Sequence, residues 1–365
     1  MTGRHGGSEA RGARAVLVTG GAGFIGANFV HAYCAAHPHD RVVVLDALTY
    51  AGRRATLAPL EQRGAITFVH GDITDAPLVA RLFAEHDVAH VVNFAAESHV
   101  DRSIAAPDAF IRTNVWGTHV LLEAARAAWC QGGTWRDGVR YHQISTDEVY
   151  GALAAGDAPF TEQHAYRPSS PYSASKAAAD HLVRAAGRTY GLPYSISHCA
   201  NNYGPYQYPE KLIPFMVQRA LTGAPLTLYG DGRQTREWVH VHDHNAMLLR
   251  VLDDPRCEGL SLNLGGQMEQ ANADVVKQLC AQLDTLFADD PALVRRFPDC
   301  PAARGVPCAS LVMHVADRPG HDRRYALDTT AFVARFGTPS LIPFAEGLAE
   351  TVSWNVYHFG WWNAA

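Results

Sequence analysis

Nowhere does the 365-residue chain run to the roughly 18 uninterrupted apolar residues that a membrane-crossing helix needs. Residues 1–14 are rich in Gly and Arg and carry no apolar segment, so neither a secretory signal nor a membrane anchor is expected and the expected location is the cytoplasm. A basic excess is also missing: 31 Lys and Arg stand against 36 Asp and Glu, a net charge of -5, which argues against a nucleic-acid partner and for a small ligand. The seven cysteines, Cys34, Cys130, Cys199, Cys257, Cys280, Cys300 and Cys308, are odd in number, scattered, and without a Cys-x-x-Cys pair. A disulfide framework and a structural zinc site are therefore not expected, and reduced thiols are. There is no internal repeat. What remains, 47% apolar and 18% charged residues in a chain of this length, is a soluble globular composition with a large core and room for two unequal lobes.

Between Ala15 and Cys199, β-rich apolar runs alternate with helical stretches. The runs are Ala15–Thr19, Arg41–Asp46, Ile66–His70, residues 90–95, Arg140–Thr146 and residues 193–198. That alternation predicts an α/β fold with a parallel sheet covered on both faces. After Asn201 the pattern loosens into Pro- and Gly-punctuated segments, with one clear helix near residues 273–287. The expected organisation is a flexible extension over 1–14, a dinucleotide-binding domain over 15–200, and a smaller α/β substrate lobe over 201–365 from which some strands can return to the first domain. Residues 288–310, where Pro, Asp and two cysteines cluster, are expected to be a surface excursion.

The first strand runs into Gly20-Gly21-Ala22-Gly23-Phe24-Ile25-Gly26. Glycines at 20, 23 and 26 allow a tight turn, close approach to a pyrophosphate and close helix packing, and the helix N-terminus faces the phosphates. Asp46 closes the second strand 20 residues after Gly26. Together they make a Rossmann-type doubly wound fingerprint, and an acid at that place favours NAD over NADP, because it accepts from both ribose hydroxyls and repels a 2′-phosphate. Arg53 and Arg54 are either a phosphate contact or a solvated surface pair. Asp72, after the third strand, either flanks the adenine or caps the next helix.

Tyr172-Ser173-Ala174-Ser175-Lys176 sets a phenol and an ammonium four residues apart, on one face of a helix that starts after Pro171. A nearby cation lowers the phenol's pKa, so Tyr172 can take a proton from a sugar hydroxyl while hydride leaves the same carbon; the bland alternative is a surface helix pair. The strand before this helix ends in Ser145-Thr146-Asp147-Glu148-Val149-Tyr150-Gly151. An alcohol oxidation or a 4-epimerisation needs only the Tyr and Lys. An elimination also needs one group to remove a carbon-bound proton and another to protonate a leaving hydroxyl, tasks that Asp147 and Glu148 can divide unless they merely cap the loop.

These motifs, with Asp46-Ala47-Leu48-Thr49-Tyr50-Ala51-Gly52, Ala95-Ala96-Glu97-Ser98-His99-Val100-Asp101-Arg102-Ser103, Asn201-Asn202-Tyr203-Gly204-Pro205-Tyr206-Gln207, Pro209-Glu210-Lys211-Leu212-Ile213-Pro214, Gln234-Thr235-Arg236-Glu237-Trp238 and Asp317-Arg318-Pro319-Gly320-His321-Asp322, resemble the dTDP-glucose 4,6-dehydratases of the extended short-chain dehydrogenase type along nearly the whole chain. The resemblance implies NAD as cofactor and a redox-neutral reaction. Tyr172 would deprotonate the 4-hydroxyl as hydride passes to NAD, Glu148 would remove the C5 proton, Asp147 would protonate the departing 6-hydroxyl, Thr146 would bond the 4-oxygen, and the hydride would return to C6. It also implies NAD contacts, beside Gly20, Gly23 and Gly26, from Phe24, Ile25, Asp46, Leu48, Thr49, Asp72, Ile73, Ala95, Ala96, Ser98, Thr113, Tyr172, Lys176 and Asn202. Substrate contacts would come from Ser98, Thr146, Asn201, Lys211, Leu212, Tyr229, Arg236, Asn272, Asp317 and His321. Read alone, Arg236 beside Glu237 is equally a surface ion pair. The chain departs from the family's usual strings at Glu237, where Asp is typical, at Arg53, where Asn is usual, and in the length of residues 288–310.

No metal is expected. His240-Val241-His242-Asp243-His244 resembles a cluster, but the resemblance implies that this position is simply a strand running into a helix. The aromatic tail Trp354, Tyr357, Phe359, Trp361 and Trp362 is expected to pack on the core. The family pairs helices around residues 108–129 and 172–190 into a homodimer, which the resemblance therefore implies. A dehydratase for a UDP- or GDP-linked hexose, a 4-epimerase and a non-catalytic NAD-sensing regulator are the rival functions.

Overall fold

The computed structural model describes residues 13–317 and 320–362; of the regions singled out above, residues 1–12, Arg318 and Pro319 lie outside the described residues. Seven parallel strands form the central sheet: β1 (Ala15–Thr19), β2 (Arg41–Asp46), β3 (Ile66–His70), β4 (His90–Asn93), β5 (Arg140–Thr146), β6 (Tyr194–Cys199) and β7 (Ser261–Leu264). Their spatial order is β7-β6-β5-β4-β1-β2-β3, so the direction of winding reverses between β1 and β4. In doubly wound sheets that reversal opens a crevice at the carboxyl ends of the strands.

β1 and β2 read as nearly unbroken apolar runs because both faces are covered, whereas β5 (RYHQIST) and β6 (YSISHC) bury polar side chains between their neighbours. Within β1, Val16 and Val18 pack on one side with helices Phe24–Ala36 and Val241–Asp253, while Leu17 packs on the other with Ala76–His86, Thr118–Trp129 and Pro171–Tyr190. The same alternation places Val42 and Val44 of β2 against the first layer and Val43 and Leu45 against the second. Three buried histidines sit in this sheet, His90, His142 and His198. His142 of β5 lies between the Ser195 and Ser197 hydroxyls of β6, at 2.7 and 3.0 Å, and His90 of β4 meets the Gly138 carbonyl at 2.9 Å.

A second core gathers around helices Leu212–Leu221, Asn272–Asp289 and Phe344–Tyr357. Thr235–His240 runs parallel to Asn201–Tyr203 and antiparallel to Glu269–Ala271, and Leu226–Tyr229 pairs with Val312–Val315. β7 comes from this half of the chain and completes the main sheet beside β6.

Residues 288–310 lie mostly at the surface, as expected, but are anchored in the second core. Asp290 caps a short helix, Pro291–Arg296, by accepting from the Ala292 N–H, and Leu293, Phe297, Cys300 and Cys308 are buried in the second core. The spacing 293, 297, 300 is that of one helical face continued into the following turn, a signal masked by the Pro and Asp content. In the aromatic tail, Trp354 and Trp361 stack around Tyr206, Trp362 against Tyr208 and Phe359 against Phe297, whereas Tyr357 is exposed.

Candidate active site

At the end of β1 the chain turns at Gly20, whose φ of +67° and distance to its neighbours both demand glycine: a Cβ there would lie 2.6 Å from the Ala95 nitrogen. A Cβ on Gly26 would lie 2.3 Å from the Gly20 carbonyl oxygen. Helix Phe24–Ala36 follows at once, and its N-cap, Gly23, covers none of the first-turn amides with a side chain. Those N–H groups and the positive end of the helix suit an anion. At the end of β2, the buried Asp46 carboxylate accepts from the Ala22 and Leu48 N–H groups, each at 2.8 Å. Burial raises its pKa and the two amide bonds pull it back.

Gly20, Gly23, Asp46, Thr49, Asp72, Ile73, Ala95, Ala96 and Thr113 line a cavity of about 120 Å³. It shares Gly20, Gly23 and Ala96 with a larger one of about 310 Å³, lined by Phe24, Ile25, Gly26, Ser98, Thr146, Asp147, Glu148, Tyr172, Lys176, Asn201, Asn202, Lys211 and Leu212, among others. The two meet at the glycine turn, at the point where the strand order reverses, which fits a dinucleotide lying across it. Leu48 contributes only its amide, since its side chain packs on the core. Asp72 accepts from Thr74 N at 2.8 Å, and the next helix is capped by Asp75 instead. Neither arginine of the 53–54 pair serves a phosphate here: Arg53 bonds the carbonyls of Trp361 and Trp362, and Arg54 pairs with Glu61.

Helix Pro171–Tyr190 starts with a capping box in which Ser170 and Ser173 satisfy each other's backbone N–H, has Pro171 at its first turn, and stops at Gly191 with φ +76°. It carries Tyr172 and Lys176 beneath the carboxyl end of β5. The Lys176 ammonium donates to the Ile144 carbonyl at 2.6 Å. One turn further along the same face, Asp180 accepts from the Ser145 and Tyr166 hydroxyls at 2.6 and 3.0 Å and faces His198 at 3.4 Å. Burial raises the Asp180 pKa, but His198, Lys176 and Ser145 outweigh it and hold the carboxyl below its usual value. Asp180 thus supplies the buried counter-charge to Lys176, whose own pKa burial lowers and Asp180 partly restores. The i, i+4 spacing from Lys176 was the sequence signal for it.

The expectation that a cation lowers the Tyr172 pKa does not hold for the protein alone. Burial, and then Glu148, push the phenol well above 10, and Lys176 spends its bond on Ile144. Beside it, β5 ends in a turn, Asp147–Tyr150, in which the Thr146 hydroxyl accepts from Glu148 N at 3.3 Å and donates to Asp147 Oδ1 at 3.2 Å. Asp147 is 2% exposed, and its Oδ2 has no hydrogen-bond partner. Burial, with Glu148 and Glu237 adding to it, pushes its pKa well above 3.8. A carboxyl so placed keeps its proton and can donate it.

On the substrate side, Lys211 donates to the Ser98 carbonyl at 2.8 Å, and the Asn202 side-chain Oδ1 meets His244 Nδ1 at 2.9 Å. Tyr229, Arg236, Asn272, Asp317 and His321 stand outside the lining of the larger cavity. Asp317 accepts from Gln234 at 2.9 Å and meets His321 Nδ1 at 2.6 Å, Tyr229 lies edge-on to the His321 ring, and Asn272 opens helix Asn272–Asp289 with its N–H on Gln234. Arg236 is no surface ion pair. It is 6% exposed, donates to the Thr235 and Asp322 carbonyls, stacks over Tyr325 and is close enough to Asp147 to oppose the rise in its pKa. Glu237 points the other way, where its carboxylate accepts from Gln267 N and Leu327 N. Tyr325, which joins Arg236 to Asp322, carries no motif that would have singled it out.

The sequence model of the GDP-mannose 4,6 dehydratase family matches residues 17–351. A dTDP-glucose 4,6-dehydratase of Xanthomonas campestris pv. campestris (strain B100) is 50% identical over 346 residues, 94% of each chain. The chain belongs to the dTDP-glucose 4,6-dehydratase family. A solved structure of such a dehydratase, DesIV from Streptomyces venezuelae with NAD bound, superimposes with a TM-score of 0.83 at 45% identity, covering 95% of this chain and 98% of that one. A UDP-glucose 4-epimerase from Thermotoga maritima matches with a TM-score of 0.78 at 25% identity, over 94% and 99% of the two chains. Dehydratases and epimerases therefore share this fold, and the residues at the end of β5 have to separate them. None of the chain's departures from the usual dehydratase strings, at Arg53, Glu237 and residues 288–310, lines the larger cavity.

Proposed function

We propose that the chain is an NAD-dependent dTDP-glucose 4,6-dehydratase, forming the 4-keto-6-deoxy sugar nucleotide and water. One observation carries the choice over an epimerase: Asp147, buried with an unpartnered oxygen and a strongly raised pKa, lies beside Glu148 and Tyr172 in one cavity. An epimerisation at C4 has no use for a stored proton next to a second carboxyl.

When bound, NAD supplies the hydride acceptor for C4 and returns the hydride at C6. The cradle suits it, with the glycine turn and helix N-terminus for the pyrophosphate, Asp46 for the adenosine ribose, and Lys176 for the other ribose. Tyr172 takes the proton of the 4-hydroxyl, and Thr146 bonds the 4-oxygen as it becomes a carbonyl. That carbonyl acidifies C5–H. Glu148 removes the C5 proton, Asp147 gives its proton to the 6-hydroxyl, water leaves, and Glu148 returns a proton to C5. The orphaned Asp147 Oδ2 needs no rearrangement to act, because nothing in the protein competes for it. Substrate contacts come from Ser98, Asn201, Lys211 and Leu212 at the cavity, with Tyr229, Arg236, Asn272, Asp317 and His321 beyond it for the diphosphate and base.

The test is to incubate the purified protein with dTDP-glucose without added cofactor and follow product mass with the alkaline absorbance of the 4-keto sugar. Loss of one water is expected. Unchanged mass with NAD bound would overturn the reading; UDP- and GDP-hexoses would then be tried before the epimerase and the regulator. Gly20→Ala is expected to abolish NAD retention, because neither its φ nor the Ala95 backbone leaves room for a methyl group; absorbance of the nucleotide released on denaturation measures this.

No helix of the described residues is long and apolar enough to cross a membrane, and a cytoplasmic setting suits a sugar-nucleotide substrate. A homodimer through helices 108–129 and 172–190 would cover the exposed Ile111 and Trp116, and light scattering on a Trp116→Glu variant, expected to be monomeric, tests it.

A further inference from the structure

Strand Thr235–His240 passes directly into helix Val241–Asp253. His240 therefore closes the strand and His242 stands in the first turn of the helix, so a strand-to-helix junction brings the two imidazoles together. Their rings lie 4.9 Å apart at 77°. From the neighbouring helix Phe344–Tyr357, Glu350 directs Oε2 to within 3.7 Å of His240 Nε2. One ligand atom from each of His240, His242 and Glu350 lies within 4.8 Å of the other two.

His240 is the informative member. It is 1% exposed, and its Nε2 has no hydrogen-bond partner, an arrangement that proteins avoid unless something else satisfies the atom. Burial lowers its pKa to about 4, so the imidazole is neutral at ordinary pH. His242 and Glu350 are exposed, which leaves them free to turn and leaves an entry path from solvent. An ion held by bonds of 2.0–2.1 Å in a tetrahedron sets its ligand atoms about 3.3 Å apart. The His240–Glu350 separation is close to this already, and side-chain rotation of His242 supplies the rest.

We propose that His240, His242 and Glu350 form a binding site for a divalent first-row transition ion of the Zn²⁺ type, with its remaining position open to water. Two imidazoles and one carboxylate are the donor set such ions take, in preference to Mg²⁺ or Ca²⁺. Coordination through His240 Nε2 puts the ring proton on Nδ1 and gives up a bond from the His242 N–H that is already long, 3.4 Å. The ion ties the C-terminal helix to the end of the strand carrying Trp238, which lines the large cavity, and to the helix whose His244 holds Asn202 there. Its role is a clamp on that wall and no step of the reaction.

Full-length protein, stripped with a chelator and reloaded with NAD, is titrated with Zn²⁺ by calorimetry, and Co²⁺ is used as a visible-absorbance probe of the same site. The wild type is expected to take up one ion per chain with micromolar or tighter affinity, to gain thermal stability, and to show the d–d band of four-coordinate cobalt. His242→Ala and Glu350→Gln should each weaken uptake by more than the roughly tenfold that loss of an outer-shell partner costs. Both variants should keep the unloaded protein's turnover, and the double variant should lose the band. Uptake undiminished in the double variant would overturn the proposal, since the ion would then sit elsewhere, the catalytic carboxylates included. So would a wild type that binds neither ion at micromolar concentration.

Discussion

In deuterated buffer, Asp147→Asn is expected to cut the loss of water from dTDP-glucose by about 10²- to 10⁴-fold while deuterium still enters at C5. Asparagine keeps the shape of the side chain and the partner for the Thr146 hydroxyl, but it has no acidic proton to give. Glu148 is untouched, so removal and return of the C5 proton continue. Glu148→Gln should lose both exchange and elimination with NAD still bound, because the C5 proton then has no base. Product mass and the C5 proton resonance read the two outcomes. Normal elimination in Asp147→Asn would remove that residue from the role of acid, and continued exchange in Glu148→Gln would remove the base. The same assignment sets a pH dependence: Asp147 must hold its proton, so turnover in the wild type should fall as pH rises through its raised pKa, and that limb should vanish from the residual activity of Asp147→Asn.

Folding stability is expected to fall as pH drops below about 6.5. His142 and His90 are buried inside the sheet, and burial lowers both pKa values, that of His90 to about 4 and that of His142 well below 6.5. Below 6.5 the unfolded chain takes up protons that the folded chain refuses, so each histidine removes roughly 1.4 kcal/mol per pH unit until its folded pKa is reached. Above 6.5 neither contributes a slope. Urea midpoints measured at pH 7.5 and 5 test this, and His90→Gln, whose amide can still donate to the Gly138 carbonyl, should reduce the difference by its share. A difference between the two pH values that His90→Gln leaves unchanged would show that the His90 ring is charged in the folded protein or reaches solvent.

Six strands of the main sheet were legible because short β-rich runs alternate with helical stretches and are bounded by turns, and the glycine turn and Asp46 lie at chain distances that the sheet geometry dictates. Tyr172 and Lys176 were legible for the same local reason, helical spacing. Properties that depend on what packs around a residue were not. The phenol's pKa is set by burial and Glu148, not by the lysine next to it in the pattern, and Arg236 looks like half of a surface pair until its strand turns it toward Tyr325 and Asp147. Composition placed residues 288–310 at the surface, where most of them are, but hid the buried face carried by Leu293, Phe297 and Cys300. At His240 and His242 the strand does run into a helix, as the resemblance implied, but Glu350, more than a hundred residues later, had no way to announce itself.

β7 has a consequence for how the molecule is made. Residues 261–264 leave the ribosome some sixty positions after β6, their only neighbour in the sheet, so during synthesis β6 waits with one row of peptide groups unpaired. Order of synthesis and order of assembly differ. A fragment cut near residue 200, although it holds the glycine turn, Asp46, Tyr172 and Lys176, would carry that open edge permanently and invite pairing with other chains. The nucleotide-binding half is thus completed by the half that follows it, and the two mature as one.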